Sequence, residues 1–177
     1  EYPKNLNFLL IARLLSDKGL NEYYEAARIV KTKYPYIKFN LVGYVDESNP
    51  TAISQTKLDG WIDEGIIDFL GRKDDVRSSI KDSSVYVLPS YHEGIPRSVL
   101  EAMSMGRAII TTDTYGCKET VERNVNGYLV PIKDSEKLAV AMQKFILDPS
   151  LVERMGLESR KMAVKKFSTT VVNRTIG

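Results

Sequence analysis

Short apolar runs and helix-patterned stretches alternate from one end of this chain to the other, and that alternation constrains its fold more than any other feature. The runs sit at Asn7–Ala12, Ile37–Val42, Ile66–Leu70, Val85–Leu88, Ala108–Thr111 and Tyr128–Val130. None shows clear apolar–polar alternation, which is the pattern of strands covered on both faces. Helices are predicted at Leu20–Tyr34, Ile53–Glu64, Val76–Lys81, Pro96–Met105, Cys117–Val121, Ser135–Leu147 and Leu151–Lys166. In the first of them Tyr23, Ala26, Ala27 and Val30 fall at helical spacing. Ser135 reads as an N-cap. Strand followed by helix, repeated, predicts an α/β fold with a parallel sheet between two helical layers. Such sheets bind ligands beyond the carboxyl ends of their strands. Ala12-Arg13, Gly43, Gly71 and Pro89 all fall at strand ends and are expected on one rim.

The most informative segment on that rim runs from Ser90 to Glu101, after the Val85–Leu88 strand. Pro89 ends the strand, Gly94 supplies a bend, and Pro96 suits the first turn of a helix that stops at Gly106. The N–H groups of Arg97 and Ser98, with those of the loop at Gly94 and Ile95, have no intrahelical partners and form a seat for an anion. Glu93 and Glu101 flank that seat. A ligand carrying both phosphate and hydroxyls, such as a nucleotide sugar, fits it. The same spacing equally allows Glu101 to pair with Arg97 on the surface and Glu93 to be an ordinary loop residue. Two carboxylates so spaced are not specific by themselves.

The whole string is more specific. Glu93-Gly-Ile-Pro-Arg-Ser-Val-Leu-Glu101, followed by Ala102-Met-Ser-Met-Gly106, resembles the E-x7-E motif of the family 4 retaining glycosyltransferases of the GT-B fold. Ala12-Arg13-Leu14-Leu15-Ser16-Asp17-Lys18-Gly19 resembles their upstream basic motif, and Asn126-Gly127-Tyr128-Leu129-Val130-Pro131 continues the likeness. The chain is similar to bacterial members that extend lipid-linked glycans for capsule, O-antigen or protein glycosylation. The resemblance implies a Rossmann-like donor domain, the C-terminal half of a GT-B enzyme, spanning residues 1–177. It implies that Glu93 holds the donor sugar, Glu101 the ribose, and Arg13 and Lys18 the diphosphate, together with the amides of Gly94, Ile95 and Arg97 around Pro96. It also implies a UDP-sugar donor of the hexose or N-acetylhexosamine type. No metal or other cofactor is expected, because fixed cations can stabilise the leaving diphosphate. Lys73, after Gly71-Arg72, is carried over for the base. Gly43 either admits the ligand's backbone contact or ends a strand.

Other residues carry less. His92 is the single histidine and Cys117 the single cysteine, so no His/Cys metal set can form. His92 is not expected to act as a base, nor Cys117 as a nucleophile. Thr112–Gly116 is expected near the donor sugar from topology. Arg154, Arg160, Lys161, Lys165 and Lys166 make the last helix basic; contact with anionic lipid is one reading and a solvated face another.

Net charge is +2, so no strong field recruits nucleic acid. No apolar run is long enough to span a bilayer. The chain starts directly before a strand without an initiator methionine, and is expected to be a piece of a longer protein whose other half takes the acceptor. The whole is expected in the cytoplasm, with peripheral contact with the inner membrane face left open. This piece alone is expected not to transfer sugar. Three other readings stand beside this one: a non-catalytic binding module of the same fold, a nucleotide-sugar epimerase, and a receiver-like domain. The last wants acidic residues where Arg13 and Arg72 stand.

Overall fold

A computed structural model describes residues 2–167, with Phe167 described for its backbone alone. Six strands form one parallel sheet: β1 (Asn7–Ile11), β2 (Lys38–Val42), β3 (Asp68–Gly71), β4 (Val85–Leu88), β5 (Ala108–Thr112) and β6 (Gly127–Val130). Their order is β3-β2-β1-β4-β5-β6. The direction of growth reverses between β1 and β4, and such a reversal opens a crevice at the carboxyl ends of the two strands. The helices are α1 (Leu20–Lys33), α2 (Gln55–Asp63), α3 (Arg77–Lys81), α4 (Arg97–Ser104), α5 (Ser135–Leu147) and α6 (Ser150–Met162). Two 3-10 turns, Ser16–Lys18 and Lys118–Thr120, precede α1 and β6, and a π-helical turn, Ala163–Phe167, follows α6. The architecture is the Rossmann-like α/β sheet with helices on both faces that the alternating pattern predicts.

The pleat divides the core. Phe8 and Leu10 of β1, Phe39 and Leu41 of β2, and Val85 and Val87 of β4 join Tyr23, Ala26, Ala27 and Val30 of α1 and Met142 and Phe145 of α5 in one cluster. Their neighbours Leu9, Tyr86 and Leu88 point the other way and meet Val99, Leu100, Ala102 and Met103 of α4. Successive side chains of a strand point to opposite faces, so an apolar run without alternation is what two helical layers require. Full burial of each such side chain stabilises by roughly 1.5–3 kcal/mol.

Several boundaries differ from the sequence reading. The third strand begins at Asp68 rather than Ile66, because the N–H groups of Ile66 and Ile67 are used to close α2 on the Trp61 carbonyl. Pro96 is the N-cap of α4, in extended conformation, and lies just outside the first turn. The N-cap of α5 is Asp134, not Ser135: its carboxylate accepts the Lys137 N–H at 3.0 Å. The last helix stops at Met162 and gives way to the π-helical turn. Ser168–Gly177 lies outside the described residues.

Candidate functional site

Three strand ends are tied together at the rim. The Ala12 N–H donates to the Val42 carbonyl, and the Gly43 N–H to the Gly71 carbonyl, each at 3.0 Å. Gly43 sits against Ala12 so closely that a Cβ there would lie 2.0 Å from the Ala12 oxygen. Its role is to let the exit of β2 pass beside the exit of β1, and it does not line the cavities described below.

The loop after β1 and the loop after β4 meet across the crevice. The Tyr91 N–H donates to the Asp17 carbonyl at 2.9 Å. Lys18 Nζ reaches Glu93 Oε1 at 2.5 Å, with side chains 22% and 17% exposed. Beneath them the Tyr86 hydroxyl lies 3.0 Å from the Ile11 carbonyl and 2.7 Å from Ser98 Oγ, joining β1, β4 and α4 at one point. Burial pushes the Tyr86 phenol far above its ordinary value, although its hydrogen bonds to Ser98 and Ile11 oppose that shift.

Arg13, Lys18, Glu93, Pro96, Arg97 and Ser98 line one cavity of about 180 Å³. A wider hollow of about 980 Å³ shares Ile11, Arg97 and Ser98 with it and adds Glu101, Leu100 and the loop Asp74–Arg77. The first turn of α4 therefore forms a common wall. Three cationic side chains, Arg13, Lys18 and Arg97, line the smaller space beside the start of α4, a setting for an anion. The wider one, with Glu101 at its side, has room for a larger polar group.

Of the residues expected from sequence, Arg13, Lys18, Glu93, Pro96 and Arg97 meet at the smaller cavity, and Glu101 at its neighbour. Gly94 and Ile95 are exposed on the connecting loop. Arg13 is loosely paired with Asp46 at 3.8 Å. The surface pair of Arg97 with Glu101 does form, at 3.2 Å, with both side chains well exposed. Lys73 is exposed and is not among the residues lining the hollow; its followers Asp74 to Arg77 are. There Arg77 grips Asp75 at 2.8 Å, and that hydrogen bond holds the Asp75 carboxyl down to about 2.

The remaining candidates are placed as follows. His92 is 79% exposed, with Nε2 at 3.4 Å from Asp17 Oδ2. Cys117 is buried and leads into the second 3-10 turn. The Thr112–Gly116 loop lies behind the motif loop: Thr112 Oγ1 donates to the Ser90 carbonyl at 2.6 Å, and Gly116 packs on the carbonyls of Glu93 and Gly94. In the basic tail end, Lys161 pairs with Glu158 at 3.1 Å and Lys166 with Glu119 at 4.0 Å.

Sequence reasoning missed Tyr86, and for Ser90 and Thr112 it gave a place on the rim but no role for the hydroxyl. The available signal was a hydroxyl inside or just beyond an otherwise apolar strand, since a buried hydroxyl needs a partner. Among the described residues no helix is long and apolar enough to cross a membrane.

Comparison with known proteins bears on family and fold. The family model described as glycosyl transferases group 1 matches residues 1–162. A Campylobacter jejuni protein, N,N'-diacetylbacillosaminyl-diphospho-undecaprenol alpha-1,3-N-acetylgalactosaminyltransferase, is 35% identical over 97% of this chain and 45% of its own length. The structure of the C-terminal domain of a group 1 family protein, LpcC of Francisella tularensis, superposes with a TM-score of 0.82 and 25% identity, over 94% of this chain and 88% of that one. HepE of Anabaena, solved in complex with UDP, superposes with a TM-score of 0.83 at 22% identity, over 97% of this chain and 47% of that one. The chain thus spans less than half the length of the curated relatives it matches.

Proposed function

The chain belongs to the group 1 glycosyl transferases, and on that premise we propose that it is the donor-binding half of a retaining enzyme. The enzyme moves a hexose or N-acetylhexosamine from a UDP-sugar to a glycan or lipid-linked acceptor in bacterial glycoconjugate synthesis. The observation that carries this reading is the meeting of Lys18, Glu93 and the first turn of α4 around one cavity at the reversal of the sheet, with Arg13 in its wall.

Each group has a task. Arg13, Lys18 and the α4 amides bind the donor diphosphate. When the sugar–phosphate bond breaks, negative charge grows on that diphosphate, and fixed cations stabilise it more in the transition state than before. A divalent metal is then unnecessary. Glu93 accepts hydrogen bonds from sugar hydroxyls, and Glu101 from the ribose in the wider hollow. The acceptor, brought by the other half, attacks on the face that the diphosphate leaves. Work on a nucleotide donor belongs in the cytoplasm, and this half alone transfers no sugar.

The test is calorimetric titration with UDP, GDP and ADP, repeated on Glu101→Ala and Arg13→Ala. Binding of UDP over the other two, weakened about tenfold or more by each substitution, is expected for charge-assisted bonds of this type. A full-length protein that binds no nucleotide would leave a non-catalytic module of the same fold.

A further inference from the structure

The fold treats the two oxygens of Glu93 differently. Oε1 receives Lys18 Nζ at 2.5 Å and Ser90 Oγ at 3.1 Å. Oε2 has no hydrogen-bonding partner among the described residues. Ser90 is fully buried just past the end of β4. Its carbonyl takes the Thr112 hydroxyl at 2.6 Å, so the end of β5 fixes its backbone. Its own hydroxyl faces three acceptors: Glu93 Oε1, the His92 carbonyl at 3.0 Å and the Asp17 carbonyl at 3.2 Å. A hydroxyl has one proton to give. The Asp17 carbonyl, which also accepts the Tyr91 N–H, is the most distant of the three. Of the other two acceptors, the carboxylate makes the stronger bond.

We propose that Ser90 is a positioning residue: its hydroxyl holds Glu93 Oε1 when Lys18 turns to the donor diphosphate, leaving Oε2 for a sugar hydroxyl. The inference rests on the assignment of Glu93 to the donor sugar. Without Ser90, the departure of Lys18 would strip Oε1 of both its protein donors, and the carboxylate would be free to rotate. Thr112 supports the same geometry from β5 through the Ser90 carbonyl.

The experiment is calorimetric titration of the full chain with UDP and with whichever of UDP-glucose, UDP-galactose, UDP-N-acetylglucosamine and UDP-N-acetylgalactosamine wild type binds best, for wild type, Ser90→Ala, Glu93→Ala and the double variant. UDP alone reports folding and the diphosphate seat. The ratio of the two affinities reports the sugar. Wild type should prefer the UDP-sugar. Ser90→Ala should cut that preference by about tenfold while UDP affinity changes less than about twofold. In the Glu93→Ala background, Ser90→Ala should do nothing further to it, because the two residues act through one bond. A preference that survives Ser90→Ala, or effects that add in the double variant, would overturn the inference and leave the function standing. Equal weakening of UDP and UDP-sugar by Ser90→Ala would do the same, making Ser90 a packing residue only. A wild type with no preference for the sugar would overturn the role of Glu93 itself, and this inference with it.

Discussion

Gly19 packs against the carbonyl of Pro89 so closely that a methyl group on it would lie 2.0 Å from the Pro89 oxygen. Its φ of +77° is a conformation that only glycine adopts readily. One residue thus turns the chain from the Lys18 loop into α1 and lets that turn rest on the end of β4. The approach of Lys18 to Glu93 depends on it.

Gly19→Ala should therefore harm both the fold and the site. Overpacking costs about 1–3 kcal/mol, and the left-handed backbone adds about 1–2 kcal/mol. Urea unfolding should show an unfolding free energy lowered by that sum, with the midpoint falling in proportion. An unchanged midpoint would mean that the contact relaxes without cost.

Tyr86 and Tyr23 should make the protein sensitive to alkali. Burial raises both phenols well above their ordinary value. The unfolded chain ionises its tyrosines above about pH 10, whereas these two cannot follow while folded. Their contribution is complete below that pH and is lost as pH rises toward the folded values. Stability measured by urea from pH 8 upward should fall beyond pH 10, and less steeply in Tyr86→Phe. A flat profile would contradict the burial of these phenols.

The two ion pairs of the site should differ in worth. Lys18–Glu93 is mostly buried and shares a hydrogen-bonded network, so Lys18→Ala should cost about 1–2 kcal/mol. Arg97–Glu101 is solvent-exposed, and Arg97→Ala should leave stability unchanged within error. Urea midpoints of the two variants compare them directly; equal losses would show that the exposure difference is immaterial.

Asp134→Ala should cost about 1 kcal/mol through loss of the α5 cap, while Ser135→Ala should be close to neutral. Thermal midpoints of the two variants decide which residue caps the helix.

Much of this architecture was legible in the residues. The six apolar runs announced the sheet because strands covered on both faces have no polar side to display. Glu93, Glu101, Arg13 and Lys18 were picked out by the resemblance of their two motifs to a known family, since the spacing of the carboxylates alone is not specific. The supporting hydroxyls were hidden. Ser90 and Thr112 look like ordinary strand-end residues, and only the pairing of β4 with β5 brings them together. Asp134 lost to Ser135 in the sequence reading because both are good caps, and the backbone alone chooses between them. Asp74–Arg77 were passed over in favour of Lys73, since charge in a polar loop does not reveal which way the loop faces.

Lys18 and Glu93 stand seventy-five residues apart in the chain, with α1, β2, α2, β3, α3 and β4 between them. Their contact exists only when β1 has docked beside β4 in the middle of the sheet. No local segment can hold the site on its own, so partial unfolding that frees either strand abolishes it. A ligand gripped between the two loops is therefore a staple across the sheet. At one hundred times its dissociation constant it raises the unfolding free energy by about 2.7 kcal/mol. Occupancy of the rim and persistence of the fold rise together.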